Sequence, residues 1–305
     1  MAETRLGVDD LIAPLFVREG IDRPEPIPSL PGVVQHTLGS LRREVAELRD
    51  LGVGAVILFG VPAQKDPEGS GAWDDDGIVQ VALRQLRDDV GDDVVLMADL
   101  CLDEYTSHGH CGVLDEHGQP DNDATIELYG QVAVAQATAG ASIVAPSGMM
   151  DGQVLAIREA LDDAGFDDVA IMAYAAKYAS ALYGPFRDAV DVTIEGGGDR
   201  KGYQQDYRNA REALEEIRFD LSEGADLVMV KPALSYLDII TRARAEVDVP
   251  LAAYHVSGEY AMIKAAAERG WIDGDAVALE QITAIKRAGA DLILTYLARE
   301  LAEAL

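Results

Sequence analysis

The sequence predicts one α/β domain folded as a (β/α)8 TIM barrel. Three observations carry this: eight short apolar runs, helical periodicity in the segments between them, and a length of 305 residues that eight such units fill. The first run, LIAPLFV at 11–17, is followed by Leu41, Val45, Leu48 and Leu51 at helical spacing. Runs at 55–60 and 94–100 come next, and then Ile126, Val132, Ala133 and Ala137 mark a helix before the run at 142–148. Leu155, Ile157 and Leu161 lead to the run at 169–174, and a strand at 226–231 precedes the helix of Ile239, Ile240 and Ala243. Runs at 251–256 and 292–296 complete the set. All are rich in Val, Ile and Leu and bounded by turn formers, and none alternates cleanly with polar residues. Such strands are buried on both faces, as in a parallel sheet covered by helices. A doubly wound open sheet is the structural rival, but no G-x-G-x-x-G opens a helix after the first run.

Charge narrows the function classes. Fifty-four Asp and Glu against 25 Lys and Arg leave a formal charge of -29, which repels a polyanion, so nucleic-acid binding is not expected. The acids form clusters (Asp74-Asp75-Asp76, Asp88-Asp89, Asp92-Asp93, Asp162-Asp163, Asp167-Asp168) placed near expected helix ends and loops, which reads as a solvated surface adapted to high salt. No run reaches the 18 or more apolar residues of a membrane span, and the N-terminus lacks the basic and apolar regions of a secretory leader. A cytoplasmic protein is expected. Two cysteines cannot build a disulfide framework, so Cys101 and Cys111 read as a metal or catalytic pair.

In a barrel the active site lies at the C-terminal ends of the strands, where the sequence places Asp99, Cys101, Ser147, Lys177, Lys231, His255, Ser257 and Tyr296. Only six of the 25 basic residues are lysine, yet two of the six fall at strand ends. Lys231 follows Leu227, Val228, Met229 and Val230. Apolar surroundings and a second ammonium, that of Lys177, both lower a lysine pKa and supply the free amine that attacks a ketone to form a Schiff base. A pairing of either lysine with Asp99 is the simpler structural reading.

Lys231 in MVKPALSYLDI, Lys177 in MAYAAKYASALYGPFR, DLCLDEYTSHGHCGVLDEHG at 99–118, APSGMMDGQV from Ala145 and YHVSGEYAMIKAAA from Tyr254 resemble the porphobilinogen synthase (5-aminolevulinate dehydratase) family. The likeness spans nearly the whole chain, from Thr4 to Ala298. It implies condensation of two 5-aminolevulinates to porphobilinogen with loss of two waters, in tetrapyrrole (heme and cobalamin) biosynthesis. It implies a Schiff base of Lys231 with the first substrate and of Lys177 with the second, with Asp99 as a site carboxylate. By the same likeness Arg187, Arg200 and Gln204 hold one substrate carboxylate, and Ser257 and Tyr296 hold the other. Read without the resemblance, Arg187 and Arg200 would be surface ion-pair partners. Residues 179–206 read as a loop and, by the likeness, as a lid; the three glycines at 196–198 give only a weak phosphate-cradle signal.

The segment 101–117 concentrates ligand-type residues, and C-x-D with a further Cys eight residues on offers Cys101, Asp103 and Cys111 to a metal with a position left open. Zinc-dependent members carry three cysteines here, so Asp103 in place of the middle one weakens the preference for zinc and admits other divalent ions. His108 and His117 read as loop hydrogen-bonding groups. Glu216 matches the glutamate of the family's regulatory magnesium site, although Glu212, Glu215 and Glu216 taken alone read as a solvated helix face. His255 stands where the family usually has glutamine. The family's extended N-terminal arm, which builds an octamer, is reduced here to residues 1–10, with 11–305 as the barrel, so a homo-oligomer of smaller size than the octamer is expected. Competing readings are an aldolase-type Schiff-base barrel using Lys231 alone, a hydrolase built on the cysteine and histidine loop, and an inactive barrel serving as a binding protein.

Overall fold

A computed structural model describes residues 1–194 and 199–305. The three-glycine run at 196–198 lies outside the described residues. In chain order the strands are β1 Leu11–Arg18, β2 Glu25–Pro26, β3 Val34–His36, β4 Ala55–Val61, β5 Val95–Leu100, β6 Ile143–Pro146, β7 Ala170–Lys177, β8 Leu227–Lys231, β9 Leu251–His255 and β10 Leu292–Thr295. Strand β1 and strands β4 to β10 pair in parallel with sequential neighbours, and β10 pairs with β1, with Leu11 opposite Ile293, to close an eight-stranded barrel. All eight expected strands are present. The short pair β2 and β3 has too little apolar content to read as strands in sequence; β3 adds to β1 beyond the barrel wall, with Phe16 opposite Gln35.

The helices are α1 Leu38–Asp50, α2 Ile78–Val90, α3 Asn122–Thr138, α4 Gln153–Asp163, α5 Gly184–Ala189, α6 Arg211–Ser222, α7 Leu237–Glu246, α8 Ser257–Glu268, α9 Gly274–Ala288 and α10 Ala298–Ala304. Side-chain caps start three of them: Thr37 accepts from Ser40 N, Asp121 from Ala124 N and Asp273 from Ala276 N. Most apolar residues that carried the helical periodicity, such as Leu41, Val45 and Leu48 of α1, are buried, but Leu155 of α4 is exposed and its neighbour Val154 faces the core with Ile157 and Leu161. Strand residues are buried on both faces, as continuous apolar runs require. The acidic clusters expected at the surface, from Asp74-Asp75-Asp76 to Asp167-Asp168, are all exposed. Among the described residues no helix is long and apolar enough to cross a membrane.

Two details correct the sequence reading. Strand β7 runs on to Lys177 instead of stopping at 174, because a register shift between Ala173 and Ala176 accommodates the extra residues opposite β8. The stretch 179–206 is not all loop: a 3-10 turn at Ala181–Tyr183 leads into α5, with Pro185 in its first turn, where a ring-fixed φ suits a helix start.

Candidate active site

Lys177 and Lys231 end neighbouring strands and are opposite each other in register. Both are buried. The Lys231 Nζ sits 4.5 Å from the ring centre of Tyr254, 5.0 Å from Tyr174, 5.2 Å from Phe186 and 5.3 Å from Tyr183. This cage contributes ring faces but withholds water. Burial, followed by repulsion from the Lys177 ammonium, pushes the Lys231 pKa down to about 7. Lys177 differs. Its Nζ donates to the carbonyl of Ser147, and although burial alone would lower its pKa, the charges of Cys111, Cys101, Asp103 and Asp99 together raise it. The two-lysine arrangement therefore pairs one amine of lowered pKa with one ammonium, the division of roles that the apolar run before Lys231 and the second ammonium of Lys177 predicted.

Asp99, near the end of β5, accepts from Ser147 Oγ at 3.0 Å through Oδ2, while its buried Oδ1 has no partner among the described residues. Burial pushes its carboxyl up to about 6 against the pull of Lys177 and Lys231. The expected pairing of a lysine with Asp99 thus exists as a field but not as a direct hydrogen bond. The buried hydroxyl of Tyr174, whose ring lies beneath both lysines, likewise has no hydrogen-bond partner among the described residues.

The ligand atoms of Cys101, Asp103 and Cys111 all lie within 4.8 Å of one another, in a fully buried group. Arg200 takes Asp103 Oδ2 at 2.8 Å and the carbonyl of Gly109 at 2.8 Å, which leaves the other Asp103 oxygen for a further partner. Burial would raise the Cys111 thiol, but contact with Cys101 and the charge of Arg200 hold it at about 7, whereas burial drives Cys101 well up. Two sulfurs and one oxygen at this spacing fit a divalent ion with a coordination position to spare. Tyr129 braces the group from α3, its hydroxyl donating to the Cys111 carbonyl at 2.7 Å. Outside it, His108 Nε2 meets the Pro67 carbonyl at 3.1 Å, a hydrogen-bonding role of the kind expected, whereas the exposed His117 ring only approaches Glu116, at 3.6 Å.

Burial, followed by repulsion from Arg200, lowers the pKa of Arg187 on α5. Among the described residues, Arg187 Nε, Arg200 Nε and Gln204 Nε2 are all buried donors without an acceptor. Unsatisfied buried donors are costly, so these groups, two of them guanidiniums, have the chemistry to receive an anion. The far end of α5 is pinned: Gln35 donates to the Ala189 carbonyl at 2.7 Å, Lys65 to those of Val190 and Asp191, and Arg18 pairs with Asp191 at 2.6 Å.

Ser257 opens α8, and its Oγ accepts from Phe186 N at 3.1 Å and reaches the Leu182 carbonyl at 3.2 Å. Tyr296 meets the Tyr254 hydroxyl at 3.0 Å, so it borders the Lys231 cage. His255 does not. Tyr254 faces the cage, and alternation along β9 turns its neighbour His255 outward, where Nδ1 meets Thr295 Oγ1 at 3.1 Å and burial pushes the pKa down to about 4. It is a packed core histidine, and the expectation that it adjusts substrate geometry is withdrawn. Glu216 is not among the grouped metal-ligand atoms; it is half-buried in a cleft of about 460 Å³ that Asp151, Glu212 and Asn122 also line, and burial with those acids raises its pKa.

Sequence reasoning passed over Tyr174, Tyr183, Phe186 and Tyr254. Tyr174 precedes Lys177 by three residues, which strict alternation would place on opposite faces; the register shift in β7 undoes that. Glu104, buried beside Asp103 with Oε1 unpartnered and its pKa driven well up by burial, was read as part of the ligand-rich segment without a role.

A family model described as delta-aminolevulinic acid dehydratase matches residues 1–304. The delta-aminolevulinic acid dehydratase of Streptomyces coelicolor is 59% identical over 307 residues, covering 100% of this chain and 92% of that protein. The enzyme of the same name from Mycobacterium tuberculosis is 59% identical, covering 97% of this chain and 90% of its own. A crystal structure of delta-aminolevulinic acid dehydratase (porphobilinogen synthase) from Toxoplasma gondii, in complex with the reaction product porphobilinogen, superposes with a TM-score of 0.97 at 45% identity, covering 99% of this chain and 86% of that one.

Proposed function

The chain belongs to the delta-aminolevulinic acid dehydratase family, and from that premise we infer that it is a hydro-lyase that condenses two 5-aminolevulinates to porphobilinogen, releasing two waters, in tetrapyrrole biosynthesis. The observation that carries the reading down to residues is the register pair Lys177 and Lys231, with the second amine half free at neutral pH.

In this reading the Lys231 amine attacks the ketone of the first substrate. The carbonyl oxygen leaves as water and a C=N bond forms. Lys177 does the same with the second substrate once its proton has passed on. Each iminium draws electrons from the adjacent carbon, and Asp99, with one oxygen free and its pKa near neutrality, stands ready to take the proton released there. The Tyr254 hydroxyl joins the Lys231 cage to Tyr296. We therefore pair Lys231 with Ser257 and Tyr296 as the holders of one substrate's carboxylate, and assign the other carboxylate to Arg187, Arg200 and Gln204, whose donors lack acceptors. The aromatic cage and α5 exclude water from imines that would otherwise hydrolyse.

Cys101, Asp103 and Cys111 would hold the divalent ion, zinc by the softness of two thiolates. Bound there, it supplies Lewis acidity toward a substrate oxygen or nitrogen. Magnesium at Glu216, a cytoplasmic setting, adaptation to high salt and assembly into a homo-oligomer belong to the same proposal; the exposed acidic clusters support the salt reading.

The test is porphobilinogen formation from 5-aminolevulinate by the purified protein, with zinc added, across a salt series. Product that requires the metal is expected. Absence of product at every salt and metal condition would overturn the reading in favour of an inactive barrel.

A further inference from the structure

Glu259 lies in the first turn of α8 and is wholly buried. Its two oxygens face different segments. Oε1 accepts the Leu234 N–H at 2.6 Å and Oε2 accepts the Val256 N–H at 2.7 Å; burial raises the carboxyl's pKa to about 7, against the pull of these N–H groups and those of Ala233 and Ser235, which favour its charged form. Leu234 stands three residues after Lys231, and Val256 immediately precedes Ser257. An ionised carboxylate only accepts hydrogen bonds, so it can serve donors on both sides at once; a neutral amide would present a donor to one of them. Burying a carboxylate is expensive. Spending it on backbone N–H groups of two separate turns makes sense where the spacing of those turns matters.

We propose that Glu259 is a positioning residue that ties the turn after Lys231 to the turn before Ser257, fixing the distance between the imine-forming amine and the hydroxyl that takes the same substrate's carboxylate. The inference rests on the function proposed above for those two residues. Displacements of about 1 Å at such a site cost on the order of 10²-fold in rate.

The experiment compares two ketones. One is 5-aminolevulinate; the other is 1-aminobutan-2-one, the same molecule with hydrogen in place of the carboxyl group. Imine formation at Lys231 is trapped by reduction and measured by mass spectrometry, and the ratio of the two trapping rates reports how well amine and hydroxyl are registered. Glu259→Gln should lower that ratio about tenfold, Ser257→Ala should lower it similarly, and the double variant should be no worse than Ser257→Ala alone. A purely structural role for Glu259 would slow both ketones equally. A ratio that Ser257→Ala lowers and Glu259→Gln leaves intact overturns the proposal. A ratio insensitive to Ser257→Ala, or no adduct at Lys231 in the unaltered protein, instead removes the functional reading and the proposal with it. Should Glu259→Gln fail to fold, Glu259→Asp carries the test. Its shorter side chain keeps the charge but reaches one turn only, so the ratio should fall, and an unchanged ratio again overturns the proposal.

Discussion

Acidification from pH 8 to pH 5 should switch off imine formation at Lys231 while the protein stays folded. The amine has an ordinary pKa of 10.5, lowered to about 7 by burial and by the Lys177 ammonium. At pH 7 about half of it is free, against roughly three parts in ten thousand for an ordinary lysine, a gain on the order of 10³ in nucleophile. Because the pKa is lowered, the reactive form is populated above pH 7 and lost below it. Each further unit of acid removes about tenfold, so about 1% remains at pH 5. The assay is single-turnover trapping of 5-aminolevulinate with cyanoborohydride from pH 5 to pH 9, read as adduct mass on the peptide that carries Lys231. The rate should rise with a midpoint near 7. Lys177→Met removes the second cause of the shift and should move that midpoint upward. A rate that is flat down to pH 5, or a midpoint above 9, would refute the reasoning that burial and the second lysine prepare this amine.

Three other outcomes follow from particular contacts. Asp103→Cys should tighten zinc binding, since a third thiolate replaces the hard oxygen, as measured by competition with a chelator; equal or weaker affinity would argue that Asp103 is held by Arg200 alone. Gly148→Ala should lower stability by about 2–4 kcal/mol, because a Cβ there would lie 1.8 Å from the Tyr129 hydroxyl that braces Cys111. That corresponds to roughly 3–6 °C in melting temperature for a chain of this length, and an unchanged melting temperature would contradict the tight packing. Raising salt from dilute to molar should raise melting temperature and activity together, because the exposed clusters of a chain with charge -29 cease to repel; a flat or falling curve rules out adaptation to salt.

The barrel was legible because its signal is local and repeated. Continuous apolar strands such as 251–256 can be buried on two faces in few other ways, and the helix spacing between them fixed the order. The lysines and Cys101 were legible because scarce residue types stood at or beside strand ends, and Asp103 and Cys111 because their spacing from Cys101 is that of metal ligands. The aromatic cage was not: Tyr174 and Tyr254 look like ordinary strand residues until the barrel closes and the β7 register shift brings the first of them beside Lys177. His255 misled for the opposite reason. It stands at a strand end by position, but alternation along β9 sends it to the outer face. Glu259 escaped notice because an acidic residue in the first turn of a helix is an ordinary capping signal, and only the fold brings the Leu234 turn within its reach.

The central claim is that Lys231 supplies the amine that joins the first substrate to the enzyme. The most direct measurement is borohydride reduction of the protein incubated with 5-aminolevulinate, followed by peptide mapping, with Lys231→Ala run alongside. The adduct should map to Lys231 with Lys177 as the second site, and Lys231→Ala should fold normally and make no porphobilinogen. An adduct confined to any other residue, or an active Lys231→Ala protein, would contradict the account.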